Sequence, residues 1–83
     1  MNIQLRYFAS LREALGASEY VEVAEGSTVA AVRDMLLARG GRHAELLARG
    51  RAVRCALNLA LCDESAVLGD GAEVAFFPPV TGG

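Results

Sequence analysis

The stretch Phe76-Phe77-Pro78-Pro79-Val80-Thr81-Gly82-Gly83 at the end of the sequence carries the residue types best suited to chemistry. An apolar run meets two prolines, each of which fixes φ and lacks an N–H, so a β-ladder stops there and the backbone stays extended. Val80 and Thr81 follow, then two residues with no side chain. Gly82 and Gly83 lose the most entropy on ordering, so a chain that only had to fold gains nothing from them. Small residues also collect at frayed termini. The rigid diproline ahead of them favours a thin arm whose terminal carboxylate can enter a narrow tunnel and be approached from any side.

Few other groups offer chemistry. Cys55 and Cys62 flank an expected hairpin. A disulfide between them is geometrically conceivable, but a reducing compartment favours free core thiols. His43 is the single histidine, so no metal set assembles around it. With no carboxylate or cysteine beside it in sequence, it reads as a solvated surface residue. Arg39, Arg42, Arg49, Arg51 and Arg54 gather in one stretch. They form either a solvated face or a docking patch for an acidic partner.

Composition bounds the rest. Eighty-three residues, 53% hydrophobic and 22% charged, describe one ordinary globular domain. A net charge of −2 gives no electrostatic case for nucleic acid or an anionic membrane. All eight basic residues are arginines, which leaves no side-chain amine for an isopeptide bond. The start alternates instead of forming an apolar run, so no signal peptide is expected, and no stretch is long enough to span a membrane. A cytosolic protein is expected.

The elements that must position the arm follow from periodicity. Residues 2–8 alternate, with Ile3, Leu5 and Tyr7 on one face and Phe8 as an aromatic on the outer face. Ser10-Leu11-Arg12-Glu13 fits a capping box for a short helix closed by Gly16. A second strand is expected at about 19–24 and is most economically antiparallel to the first. Ser27 or Thr28 caps a main helix over about 28–39, burying Val29, Val32, Met35 and Leu36 and turning Arg33 and Asp34 to water. Gly40-Gly41 ends it, and a shorter helix over about 43–49 buries Leu46 and Leu47. Residues 52–58 and 60–62 read as a hairpin turning at Asn58, and 65–68 as one turn of helix. Gly69-Asp70-Gly71 is a turn, and 72–77 the last strand, with Val74 and Phe76 inward and Phe77 outward.

This order predicts a two-layer α+β domain: a mixed sheet of about five strands packed against one main helix plus short helices. Residues 1–79 form the domain and 80–83 a flexible tail. If the last strand lies beside the first, Phe8 and Phe77 become neighbours on the face away from the helix. Two exposed phenylalanines beside a tail read as an interface.

The Gly-Asp-Gly turn, Tyr7-Phe8-Ala9 with Leu11-Arg12-Glu13, Thr28-Val29 opening the helix, Asn58 in the hairpin, and above all the run from Glu73 to Gly83 resemble the sulfur-carrying small subunits of molybdopterin synthase. A bare Gly-Gly is shared by several sulfur carriers and ubiquitin-like modifiers; Phe-Phe-Pro-Pro-Val-Thr-Gly-Gly is far more specific. Ala72 departs from the acidic residue common there. The resemblance implies a ubiquitin-like β-grasp fold and a sulfur carrier.

It further implies that the Gly83 carboxylate, ionised with a pKa of about 3.5, attacks ATP on an E1-like activating enzyme to give an acyl-adenylate. A persulfide donor then displaces AMP and leaves a thiocarboxylate. The loaded tail enters the synthase large subunit and donates sulfur to cyclic pyranopterin monophosphate. Gly83 carries the sulfur and Gly82 gives the backbone freedom to reach. Phe8, Phe77, Pro78, Pro79, Val80 and Thr81 contact the partner. ATP is used only during activation, and no cofactor or metal is held permanently. The chain is then the non-catalytic subunit of a sulfurtransferase, in a two-plus-two heterotetramer. A carrier for thiazole or cysteine synthesis, a protein modifier and an interaction-only domain stay open at this point.

Overall fold

In the computed structural model, which describes residues 1–79, the alternation of Ile3, Leu5 and Tyr7 becomes strand β1 (Asn2–Tyr7) with all three side chains buried. Val80, Thr81, Gly82 and Gly83, and with them the arm read from the sequence, lie outside the described residues. Helix α1 (Ala9–Leu15), strand β2 (Ser18–Glu22), helix α2 (Val29–Leu37) and helix α3 (Gly41–Leu46) follow, then strands β3 (Arg54–Leu57), β4 (Ala60–Cys62) and β5 (Glu73–Phe77). The strands form one sheet in the order β2-β1-β5-β3-β4. β1 pairs antiparallel with β2 and parallel with β5, while β3 pairs antiparallel with both β5 and β4. The last strand thus lies beside the first, which meets the condition set out from the sequence.

One face of the sheet is covered. Ile3, Leu5, Tyr7, Val21, Cys55, Val74 and Phe76 pack against Leu11, Val29, Val32, Leu36 and Leu47 from the helix side. Each fully buried aliphatic or aromatic side chain contributes about 1.5–3 kcal/mol relative to exposure. This two-layer α+β arrangement of mixed sheet and helices is the ubiquitin-like β-grasp. No helix among the described residues is long and apolar enough to cross a membrane.

Several local expectations are corrected. β1 ends at Tyr7, and Phe8 is the N-cap of α1 without a side-chain cap bond, so Ser10 lies inside the helix instead of capping it. The Phe8 carbonyl accepts from Leu11 and Arg12 N–H groups, and Ala9 takes φ 53° to turn the chain there. Of the two caps expected for α2, Thr28 is the one used, its hydroxyl accepting from the Ala31 N–H at 3.2 Å, while the Ser27 hydroxyl donates to the Ala24 carbonyl. α2 ends at Leu37, and Gly41 opens α3 two residues earlier than expected. Residues 65–68 form no helical turn. Their backbone groups go to the start of α2: the Ala66 and Glu64 carbonyls accept from Val29 and Ala30, and Leu68 donates to Ser27. Donors that a helix start leaves without intrahelical partners are met by this crossing segment.

The largest correction is Arg33, expected in water and found only 3% exposed. Its Nε donates to the Leu47 carbonyl, Nη1 to Glu64 and one Nη2 hydrogen to the Ala48 carbonyl, each at 2.7 Å. A longer contact reaches the Arg51 carbonyl at 3.3 Å. The guanidinium therefore ties α2 to the segment after α3 and to the crossing segment. Glu64 is shared with Arg49, which also pairs with Asp34. Burial pushes the Glu64 carboxyl up, but hydrogen bonds from Arg49 and Arg33 outweigh it and hold the group below the ordinary carboxylate range.

Replacing Arg33 with alanine leaves buried carbonyls without donors, and loss of one partner of a buried ionic network costs about 3 kcal/mol. Urea unfolding of Arg33→Ala is expected to show that loss with an unchanged slope. A change below about 0.5 kcal/mol, the range of an ordinary surface position, would place Arg33 back in solvent.

Candidate functional site

The uncovered face of the sheet carries the residues that the sequence singles out. Alternation puts Arg6, Ala75, Ala56 and Leu61 in one row across β1, β5, β3 and β4, each directly opposite the next. Phe77 stands opposite Arg54 in the neighbouring row. Ala56 and Ala75 are only 9% and 7% exposed yet lie outside the helix-side core, sheltered by larger neighbours on their own face. Leu61 is 67% exposed and Phe8 38%. Small residues at the centre and large apolar ones at the margins leave a shallow apolar floor with projecting edges.

Phe8 reaches this face even though β1 stops before it. Its N–H donates to the Phe76 carbonyl at 3.2 Å, which carries the β1–β5 hydrogen bonding one residue past Tyr7 towards the Phe77 end of β5. The Arg6 guanidinium lies 5.5 Å from the Phe8 ring centroid and 3.7 Å from the Glu73 carboxylate. A cation over the ring face holds the aromatic in place at modest energetic gain. Pro78 and Pro79 are half-buried and lie beyond the strand, so the ladder ends at Phe77 as their chemistry requires. The structure brings Phe8, Phe77, Pro78 and Pro79 to one end of the sheet. Leu61 and Arg6 join that surface without having been singled out as contacts, and Arg54 joins it from the arginine group. Leu61 had a readable signal, since it follows the hairpin turn and alternates outward from Cys62.

The other candidate groups lie elsewhere. His43 is half-buried, with Nε2 3.9 Å from the Glu19 carboxylate and its ring edge-on to Tyr7 at 6.5 Å. The expectation of a solvated residue without a carboxylate partner is corrected by β2, which brings Glu19 from a distant part of the sequence. Tyr7 donates its hydroxyl to Glu19 at 3.0 Å, and Arg39 pairs with the same carboxylate at 2.8 Å. Burial, then the Glu19 charge, raises the Tyr7 phenol well above its ordinary range, and the Arg39 hydrogen bond holds Glu19 low. This cluster clamps β1, β2 and the helix layer. Of the arginine group, Arg39 and Arg49 are committed to such pairs, while Arg42, Arg51 and Arg54 are exposed. Cys55 and Cys62 are free thiols, as expected. Among the described residues there is no pocket and no group of three or more His, Cys, Asp or Glu able to hold a metal ion.

A family model, that of the ThiS family, matches residues 5–83. The chain belongs to the ThiS family. Its relatives include the molybdopterin synthase sulfur carrier subunit of Escherichia coli (strain K12), 41% identical over 81 residues, covering 98% of this chain and 99% of that one. The protein of the same name from Mycobacterium tuberculosis is 38% identical over 85 residues, covering 100% and 99%. Among solved structures, SAMP1 from Haloferax volcanii superposes with a TM-score of 0.78 at 26% identity, covering 100% of both chains. The ThiS-family assignment and the β-grasp fold therefore agree with the resemblance carried by the Phe-Phe-Pro-Pro run.

If the open face is a surface kept for contact and not a core, its apolar residues contribute little to folding. Leu61→Ser is expected to shift unfolding stability by no more than about 0.5 kcal/mol. Phe76→Ala, on the covered face, is expected to cost about 3–5 kcal/mol. Urea unfolding of both variants checks the contrast, and equal losses would make the open face part of the folding core.

Proposed function

We propose that this chain is the sulfur carrier subunit of molybdopterin synthase, acting in the cytosol with its Gly83 carboxylate as the sulfur attachment point. The observation that carries the reading is full-length similarity to relatives bearing that name, at up to 41% identity. The position of Phe77-Pro78-Pro79 at the end of a strand flanked by an apolar face supports it.

A carboxylate is a poor electrophile until one oxygen becomes part of a good leaving group. On an E1-like partner, Gly83 attacks the α-phosphate of ATP, releasing pyrophosphate and forming the glycyl adenylate. A persulfide sulfur adds to the activated carbonyl and AMP leaves. A second thiol then breaks the S–S bond, leaving a thiocarboxylate on Gly83 and a disulfide on the donor side. Glycine suits both positions, because a Cβ on residue 83 would crowd the attack path and one on residue 82 would limit the backbone. The large subunit supplies the pterin pocket and the acid–base groups for sulfur transfer to cyclic pyranopterin monophosphate.

Docking is assigned to the open face. Phe8, Phe77 and Leu61 bury apolar area against the large subunit, Arg6 and Arg54 meet carboxylates at the rim, and Pro78-Pro79 reduces the entropy lost as Val80, Thr81, Gly82 and Gly83 enter it. Two carriers and two large subunits complete a heterotetramer. ATP enters only through the activating partner.

Intact-protein mass spectrometry after incubation with ATP, an E1-like activator and a persulfide source is expected to show a gain of about 16 Da at Gly83, one oxygen exchanged for sulfur. Gly83→Ala is expected to load or transfer sulfur far more slowly with the fold intact, and equal transfer would sink the narrow-channel requirement. No mass change in the native chain would reduce the tail to a docking arm. Phe77→Ala is expected to weaken large-subunit binding by about 2 kcal/mol, about 30-fold in Kd, by calorimetry. Unchanged affinity would remove Phe77 from the interface.

A further inference from the structure

Cys55 and Cys62 take no part in the sulfur chemistry above, yet the hairpin sets them directly opposite each other. Asn58 and Leu59 adopt φ 50° and 72°, a two-residue turn of the kind that fixes hairpin register. Leu57 then faces Ala60, Ala56 faces Leu61, and Cys55 faces Cys62. Asn58 holds the register further by exchanging hydrogen bonds with the backbone of Glu73 in β5, at 2.8 and 2.9 Å. The two sulfurs lie 3.7 Å apart. Directly opposed residues in an antiparallel pair have Cα atoms about 4.5–5.5 Å apart, within the span of about 4.4–6.8 Å that a disulfide bridges. Side-chain rotation with little backbone movement can close the gap.

The two thiols differ. Cys62 sits on the edge strand and is half-buried; Cys55 is buried against the core and donates its S–H to the Cys62 carbonyl at 3.3 Å. Burial, with Cys62 beside it, pushes the Cys55 thiol up to about 12, so it is protonated at rest. An accessible thiol beside a protected one is the arrangement of an attacking and a resolving cysteine.

We propose that Cys55 and Cys62 form a redox-active dithiol that closes reversibly to an intrachain disulfide by exchange with a low-molecular-weight disulfide. Cys62 loses its proton to solvent and attacks one sulfur of the small disulfide, forming a mixed disulfide and expelling a thiolate, which takes up a proton. Cys55 then gives up its proton and attacks the Cys62 sulfur, expelling the second small thiol. Two protein thiols are oxidised to one disulfide and one small disulfide is reduced to two thiols, with no other reactant. The bridge fastens the edge strand to β3, whose Cys55 lies opposite Phe76. It thereby fixes Leu61 relative to the strand that ends at Phe77.

The test treats the reduced full-length chain with oxidised glutathione, quenches with acid and reads the intact mass. The native chain is expected to lose about 2 Da, two hydrogens, as a monomer whose Cys55 and Cys62 peptides are joined, and to return to its starting mass with excess reduced thiol. Cys55→Ser is expected to accumulate one glutathionyl group on Cys62. Cys62→Ser is expected to react at least about tenfold more slowly than Cys55→Ser, because the remaining thiol is buried. Far-UV circular dichroism confirms that both near-isosteric variants are folded. A native chain that stays reduced, retains a glutathionyl group or links between molecules would overturn the proposal. So would a Cys62→Ser variant that reacts as fast as Cys55→Ser.

Discussion

The parallel ladder between β1 and β5, from Gln4 opposite Glu73 to Tyr7 opposite Phe76, joins the two ends of the sequence and sets where its last described residues leave the sheet. Parallel neighbours cannot be joined by a tight turn, so the intervening chain has to cross over. Here it does so through β2 and the helix layer, covering one face and leaving the other open. The same ladder aligns the ends of the two strands and brings the Phe8 backbone N–H onto the Phe76 carbonyl, next to Phe77 in the chain. The Gly69-Asp70-Gly71 turn secures its start: Asp70 accepts from the Asn2 N–H and Gly71 donates to the Asn2 carbonyl. A one-residue slip would exchange Val74 and Phe76 with Ala75 and Phe77 and empty the core onto the open face.

Charge is divided between the two sides of the sheet. On the covered side, Arg33, Arg49 and Arg39 are spent on Glu64, Asp34 and Glu19, where they join helices, crossing segment and strand. Surface ion pairs contribute little, and Arg33 matters more as a donor to the Leu47 and Ala48 carbonyls that the irregular segment after α3 leaves unpaired. On the open side, Arg54 is exposed and Arg6 is balanced between Glu73 and the Phe8 ring. Cations around an apolar floor favour a partner with carboxylates at its rim.

Strand alternation carried most of the architecture. The strands, a helix cap at Ser27 or Thr28 and the Asn58 turn were readable, because period-two burial and turn chemistry are local signals, while the pairing of first with last strand stood only as a condition. The helix details were less so. Arg33 falls on the same stripe as Val29, Val32 and Leu36, so the helical period pointed inward while its charge pointed outward. The carbonyls of Leu47 and Ala48, delivered by the segment after α3, and the Glu64 carboxylate together make burial of that charge favourable. Likewise 65–68 has a helical composition, but the Ala66 carbonyl and the Leu68 N–H are worth more at the open start of α2 than in one unsupported turn.

The sequence by itself determined the α+β class, the family, the candidate docking aromatics and the diproline that ends the last strand, since each rests on residue type at fixed spacing. The tertiary structure decided which groups act together. It gave His43 a carboxylate neighbour, turned Arg33 into a buried tie, added Leu61, Arg6 and Arg54 to the open face, and set two cysteines sulfur to sulfur. The His43 and Arg33 contacts do not follow from spacing, because they join segments far apart in the chain whose register is known only once the sheet has formed, whereas Leu61 and the facing cysteines rest on the local hairpin that the sequence already signals.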